Sequence, residues 1–357
     1  MLSTEVTKRL KIKYPIIQAP MAGGITTSQL VAAVSNSGGL GMIGAGYLTP
    51  AQLREQIREV KELTLNHFGV NVFVPGEFTI SQNGIDFANE KLQSIKNHLN
   101  IADDSFQLPD ARKLMETFHE HMEIVIEEKV PVCSFTFGIP SKEVISRLKE
   151  HQMILIGTAT TVREALENQE NGMDMVVVQG SEAGGHRGNF SNSHQESLIG
   201  LMSLIPQAVD CVRIPVIAAG GIMDGRGVMA AICLGAKAVQ MGTAFLTCQE
   251  SGAHRLHKEA ILQSDEDQVI LTRAFSGKWA RGINNQFIST MHENEASFPA
   301  FPVQNTLTQS IRKTAAAQNN PDYMSLWSGQ SPRLAKSLTA EELIQDIMLQ
   351  VKNIIFD

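Results

Sequence analysis

At 357 residues the chain suits one large α/β barrel carrying an insertion, or two ordinary domains. Its 43% hydrophobic and 19% charged residues describe a normal globular core and exclude a disordered chain. A net charge of −7 without a basic cluster argues against nucleic acid as a partner, and no run approaches the ~18 apolar residues of a membrane span.

The first strand is expected at 16–18, followed by a helix from Ser28 to Gly38 and a second strand at 40–44. Thr49-Pro50 then supplies a cap and a proline at the first helical position, with Leu53, Ile57 and Val60 on one face. A third strand is expected at 69–74. The stretch 75–129 is too long for one crossover, so it is expected to hold extra helices, one of them from Ala111 to Glu128. Strands at 132–135 and 154–157 flank a helix from Ser141 to His151. Thr161 and Glu164 have capping-box spacing, and Asn171-Gly172 supplies the stop. The sixth strand, 175–179, is a nearly continuous apolar run, as expected of a parallel strand covered on both faces. The seventh and eighth, 215–219 and 238–241, flank a helix capped by Asp224, bearing Val228, Ala231 and Ile232 and ended by Gly235. From about Thr247 onward the alternation stops, and a helical and loop appendage is expected to pack over the barrel mouth.

Alternating strands and helices mean βαβ crossovers and a parallel sheet. Eight strands is the number that closes a (β/α)8 TIM barrel, which is the expected fold, with a doubly wound open sheet as the alternative. The domain reading is a barrel over 1–74 and 130–250, an insertion over 75–129, and a C-terminal segment over 251–357.

In such a barrel ligands meet the C-terminal ends of the strands. The sequence sets Gln18-Ala19-Pro20-Met21 after the first strand, Asn71 on the third, and Gln179 with Gly184-Gly185-His186-Arg187-Gly188 after the sixth. Gly220-Gly221 follows the seventh, and Gln240-Met241-Gly242-Thr243 the eighth. Gly220-Gly221 lets backbone approach an anion and Gly242-Thr243 opens a helix with free N–H groups, so the two loops together suit a phosphate; singly, each reads as a tight turn. His186, among glycines that let a loop fold against a flat ligand, could serve as base or as hydrogen-bond donor, against the plainer reading of a surface loop histidine. The amides of Asn71 and Gln179 could bond the edge of a heterocycle or cap strand ends.

Other candidates carry less. His254 and His257 have a metal-ligand spacing but no carboxylate partner, and a solvated helix face is expected for them. His119 and His121 point to different sides of a helix. Cys133, Cys211, Cys233 and Cys248 lie far apart without a CxxC pair, which reads as reduced, buried thiols of a cytoplasmic protein with no metal site. The polar start Met1-Leu2-Ser3-Thr4-Glu5 argues against a signal peptide. With no G-x-S-x-G, P-loop or dinucleotide fingerprint, the expected cofactor is a mononucleotide.

Six segments carry a resemblance: QAPMAGG at 18–24, SNSGGLGMIGAG at 35–46, FGVNVF at 68–73, VVQGSEAGGHRG at 177–188, IPVIAAGGIMDGRG at 214–227 and GAKAVQMGTAF at 235–245. In this order they resemble the nitronate monooxygenases, formerly 2-nitropropane dioxygenases. The match runs from about residue 8 to 250 and more weakly through RAFSGKWARG at 273–282 and LWSGQ at 326–330. The resemblance implies a TIM barrel holding non-covalent FMN. Asn71, Gln179, Gly184, Gly221 and Gln240 to Thr243 fall at flavin-contacting positions, and His186 at the active-site histidine. Gln18, Ala19, Pro20, Met21, Gly185 and Gly220 complete the expected cofactor set.

It also implies an oxidoreductase that detoxifies alkyl nitronates with O₂, giving a carbonyl compound and nitrite. In some members the histidine takes the α-proton of the neutral nitroalkane. The expected partners are a small nitronate and O₂, with a homo-oligomer left open. Flavin-dependent enoyl-acyl-carrier-protein reductases share the barrel and the EAGGH and AAGGI loops, and form the alternative. Pro20-Met21 after Gln18-Ala19, Arg187-Gly188 after His186, the insertion and the long C-terminal segment favour the monooxygenase. A non-catalytic flavin- or phosphate-binding barrel is a third reading. A nitronate is already an electron-rich anion, so its protein must position it and stabilise charge, leaving redox work to the cofactor.

Overall fold

The computed structural model describes residues 2–102, 106–191 and 197–356; residues 103–105 of the expected insertion and Asp357 of the expected C-terminal segment lie outside the described residues. In chain order the strands are β1 (Ile16–Gln18), β2 (Gly41–Gly44), β3 (Phe68–Phe73), β4 (Val132–Thr136), β5 (Ile154–Ala159), β6 (Met175–Gln179), the short β7 (Gly185–His186), β8 (Val216–Ala219), β9 (Ala238–Met241), β10 (Val269–Thr272) and β11 (Ala280–Ile283). Eight of them form one sheet in the order β1-β9-β8-β6-β5-β4-β3-β2, with every neighbouring pair parallel. The sheet closes through Leu40, whose N–H donates to the Ile16 carbonyl at 3.0 Å and whose carbonyl accepts from Gln18 N–H at 2.9 Å. Closure makes the (β/α)8 barrel and excludes the open doubly wound sheet.

The two-residue strand period sorts side chains into two shells. Ile17, Met42, Val132, Ile156, Met175, Val177, Ile217 and Ala238 pack together inside the barrel. Their chain neighbours Cys133, Leu155, Val176, Val178 and Val216 face the helices instead. Each large apolar side chain buried this way contributes roughly 1.5–3 kcal/mol, which is why nearly every barrel position is apolar.

Helix starts follow the capping residues. Thr49 and Gln52 form a reciprocal box, and Asp224 accepts from the amides of Arg226 and Gly227 at 3.0 and 3.1 Å. Only half of the expected Thr161–Glu164 box forms. Thr161 Oγ1 accepts from Glu164 N–H at 3.2 Å, but the buried Glu164 carboxylate accepts from Thr160 N–H and from the amides of Phe190 and Ser191, at 2.7, 2.7 and 3.0 Å. A loop distant in sequence outcompetes the local cap and is anchored to this helix.

The region after β9 departs from expectation. Besides helices and loops it contains β10 and β11, which join β7 in an antiparallel sheet pairing Ala280 with His186 and Arg281 with Gly185. The strand–helix alternation that marks the barrel strands has stopped here, so these strands carry no local signal and depend on a partner distant in sequence. The final helix, Ala340–Phe356, packs against the helices Gly225–Cys233 and Ser28–Asn36, which follow β8 and β1, and so occupies the eighth helical place around the barrel.

Of the two helices between β3 and β4, Ala111–Glu127 packs on the barrel, beside the helix Pro50–Leu63. Gln82–His98 buries Ile85, Ala88, Leu92 and Ile95 among residues of the C-terminal segment. Among the described residues no helix is long and apolar enough to cross a membrane, and no group of three or more His, Cys, Asp or Glu side chains could hold a metal ion.

Candidate active site

A cavity of about 700 Å³ opens at the C-terminal ends of the barrel strands beneath the C-terminal segment. It gathers His186 and every candidate cofactor residue except Gln18: Ala19, Pro20, Met21, Asn71, Gln179, Gly184, Gly185, Gly220, Gly221, Gln240, Met241, Gly242 and Thr243. Gln18 is fully buried and faces the sheet. Its Oε1 accepts from Met42 N–H at 3.0 Å and its amide nitrogen donates to the Ala19 carbonyl, so its place is the β1–β2 seam.

The loop carrying His186 is held from within. Arg187 is fully buried, with Nη1 donating to the Gly180 carbonyl at 2.6 Å and Nη2 to those of Gln179 and Ser197 at 2.9 and 2.8 Å. Burial, reinforced by the neighbouring Arg281 charge, brings its pKa down to about 10, still a cation at neutral pH. The Gln179 amide donates to the His186 carbonyl at 3.0 Å and accepts from Gly188 N–H at 2.7 Å. It lines the cavity, yet the hydrogen-bonding capacity used here clamps the loop. Asn71 differs. Its Nδ2 donates to Ser134 Oγ and Thr136 Oγ1 at 2.8 and 3.1 Å, which leaves Oδ1 as an acceptor at the cavity wall. Gly184 is demanded by packing, because a Cβ there would come within 2.5 Å of Gly329 N and 2.6 Å of Ser328 C.

His186 is half-buried, and its open side meets the cavity. Trp327, Phe137 and Phe301 surround the ring at 5.4, 6.0 and 6.2 Å between centroids. This desolvation, with the nearby Lys278 and Arg312 charges, pushes its pKa down to about 3, so the imidazole is neutral at physiological pH. Nε2 lies 2.8 Å from Ser276 Oγ. Ser276 Oγ also lies 3.0 Å from the Lys278 carbonyl, which accepts its hydrogen; in that arrangement Nε2–H donates to Ser276 and the lone pair falls on Nδ1. The plain surface-loop reading of His186 is thereby set aside.

The loops after β8 and β9 present a second feature. Gly220 and Gly221 both have positive φ, 135° and 64°, a turn that suits glycine. Among the described residues the amides of Gly221, Ile222, Gly242 and Thr243 donate to no protein acceptor, an arrangement suited to an anion.

Several cavity residues were not among the expected site residues, among them Tyr47, Phe73, Phe137, Ser276, Arg312 and Trp327, although Phe73, Ser276 and Trp327 fall within the resembling segments. Phe73 and Phe137 end or follow strands β3 and β4; Ser276, Arg312 and Trp327 come from the C-terminal segment, whose path over the mouth is not locally encoded. His254 and His257 also line the cavity, which corrects the expected solvated face: His257 is buried and its Nε2 meets the Trp327 carbonyl at 2.9 Å. The expectation of four buried thiols is corrected as well. Cys133 and Cys248 are buried, while Cys211 and Cys233, at helix C-termini on the outer layer, are exposed.

A family profile described as nitronate monooxygenase matches residues 3–350. A probable nitronate monooxygenase of Staphylococcus haemolyticus is 52% identical over 99% of this chain and 98% of its own length. One from Staphylococcus aureus is 51% identical over 98% and 97%. Among solved structures, nitroalkane oxidase from Streptomyces ansochromogenes matches with a TM-score of 0.90 at 36% identity, covering 98% of this chain and 99% of that one. FabK of Thermotoga maritima matches with a TM-score of 0.78 at 31% identity, covering 100% and 98%.

Proposed function

The chain belongs to the nitronate monooxygenase family, and from that premise we propose that it is an FMN-dependent oxidase of small alkyl nitronates, using O₂ and releasing a carbonyl compound and nitrite. The observation that carries this reading is one cavity with unequal ends. Unpaired amides of Gly221, Ile222, Gly242 and Thr243 lie at the β8–β9 side, and a desolvated aromatic chamber around His186 at the other.

The residues fit a mononucleotide. The unpaired amides would take its phosphate, and Asn71 Oδ1 would accept from a ring N–H. When bound, FMN supplies the redox chemistry between the nitronate and O₂. The protein's own part is to exclude water, orient the nitronate and balance its charge. His186 offers Nδ1 as an acceptor. With a pKa near 3 it is a weak base in the resting site, and it gains basicity only when an anion lies beside it. That supports nitronates over neutral nitroalkanes as substrates.

The enoyl-acyl-carrier-protein reductase alternative is separated by one assay. Protein that releases FMN on denaturation should take up O₂ and form nitrite with ethylnitronate, and should oxidise NADH or NADPH slowly. Rapid NAD(P)H-dependent reduction of an enoyl thioester without nitrite formation would transfer the assignment to the reductase. Release of FAD as the main flavin would overturn the cofactor reading. The free cysteines support a reducing, cytoplasmic setting.

A further inference from the structure

A nitronate brings a full negative charge into this cavity, and the neutral His186 cannot balance it. We propose that Arg312 is the seat of that charge, its guanidinium gripping the two nitro oxygens and making the site selective for anionic nitronates over neutral nitroalkanes. The proposal rests on the nitronate reading given above.

Arg312, on the helix Gln309–Ala317, lines the cavity. Its Nη2 donates to the carbonyl and to Oδ1 of Asn305 at 2.7 and 2.9 Å, which fixes the guanidinium plane. Its Nε, like those of Arg187 and Arg273, is sealed from solvent without an acceptor, and both Nη2 hydrogens are taken by Asn305, so Nη1 is the nitrogen left to meet a ligand. The other enclosed arginines each feel a carboxylate: Arg187 feels Glu182 and Glu164, Arg273 feels Glu295, and Arg281 feels Glu182. For Arg312, among the described residues, the acidic group that acts on it is the Tyr47 phenol, whose raised pKa keeps it neutral. Burial lowers the pKa of Arg312, yet a guanidinium does not surrender its proton in a protein. A desolvated cation without a counter-ion is costly, and an anionic ligand would offset that cost.

The position agrees. Tyr47 contacts Phe73 at 5.6 Å, Phe73 contacts Phe137 at 4.6 Å, and Phe137 contacts His186 at 6.0 Å, so the rings form one wall running from Arg312's neighbour to the histidine. The Arg312 charge is also felt at His186. The unpaired amides of Gly221 and Gly242 belong to the loops after β8 and β9, whereas Tyr47 and Phe73 follow or end β2 and β3. The cavity thus has one anion seat for the cofactor and another for the substrate.

The test uses the flavin-loaded enzyme and its Arg312→Gln and Arg312→Lys variants. Nitrate, a planar oxyanion, is titrated by calorimetry, and KM is measured for ethylnitronate and for nitroethane. Arg312→Gln should weaken nitrate binding and raise the nitronate KM by about 10- to 100-fold, the span of a charge-assisted hydrogen bond, with Arg312→Lys intermediate. The nitroethane KM should rise far less than the nitronate KM, flavin content should stay near wild type, and added guanidinium ion should restore part of the nitrate affinity. Wild-type nitrate affinity in Arg312→Gln overturns the proposal, as does loss of flavin, which would move Arg312 to the cofactor. Calorimetry needs no turnover. A wild type that binds nitrate through Arg312 yet oxidises no nitronate would support the anion seat and sink only the functional reading.

Discussion

Replacing Arg187 with methionine should unlock the loop that presents His186. The substitution keeps the length and apolar stem of the side chain but removes three donated hydrogen bonds, to the carbonyls of Gly180, Gln179 and Ser197 at 2.6, 2.9 and 2.8 Å. Each bond from a charged donor is worth roughly 1.5–3 kcal/mol, and their simple sum overstates the loss because burying the cation is itself unfavourable. Three buried carbonyls that lose this donor, at roughly 1–3 kcal/mol each and less the desolvation the cation no longer incurs, put the net cost at about 3–5 kcal/mol. With ~2.1 cal/mol/K of unfolding entropy per residue and 357 residues, that corresponds to a fall of about 4–7 °C in melting temperature. The assay pairs a thermal melt with limited proteolysis and nitronate turnover. Arg187→Met should melt lower, be cut between β6 and the helix Leu201–Cys211, and lose activity as His186 loses its fixed orientation. A variant with wild-type melting, proteolytic resistance and turnover would refute the clamp. Melting unchanged but activity lost would refute the energetic part alone.

Three further outcomes follow from the same geometry. His186→Asn should lose about 10²–10⁴-fold with any neutral nitroalkane the wild type accepts, and much less with preformed nitronates; equal losses on both would show that His186 acts only in binding. His186 and His257 have pKa values pushed down to about 3 and about 4 from an ordinary 6.5, chiefly by burial. The unfolded chain therefore binds more protons than the native protein below pH 6.5, so their contribution to stability is complete above that pH and is lost as pH falls toward 3. Melting temperature should decline across this window, and the decline should be shallower in a His186→Asn, His257→Asn double variant; parallel curves would contradict the assignment. Gly184→Ala should force Ser328 and Gly329 away from the loop, given the 2.5 and 2.6 Å approaches, and flavin retention measured by absorbance should fall; an unchanged flavin content would mean that this seam yields freely.

The barrel was legible because its signals are local. Apolar runs such as Met175-Val176-Val177-Val178, caps at Thr49 and Asp224, and glycines after β8 and β9 each depend on residues within a turn or two of one another. The positions of Asn71, His186 and Gly221 at the strand ends followed from the barrel rule, so the cavity's floor could be written down from the sequence alone. Gln18 could not be separated from that set, because the side chain after an apolar strand residue is oriented by sheet closure, which brings Met42 N–H to its amide. The Gln179 amide was ambiguous for a like reason: its partners in the His186 loop become neighbours only when that loop folds back.

What tertiary structure alone decided is the chamber's roof and its charge. Ser276, Arg312 and Trp327 lie about 90 to 140 residues beyond His186 in the chain; Arg312 carries no motif signal, and the weakly matching segments that hold Ser276 and Trp327 do not show that they meet the histidine. They reach the histidine because β11 pairs with β7 and the remaining C-terminal segment wraps the mouth. The protonation state of His186 is decided there too. An imidazole in a glycine-rich loop reads as a neutral-pH base, and only enclosure by Trp327, Phe137 and Phe301 beside two cations makes it a desolvated, uncharged acceptor. Desolvation and charge are sums over everything nearby in space, and a linear sequence lists only what is nearby along the chain.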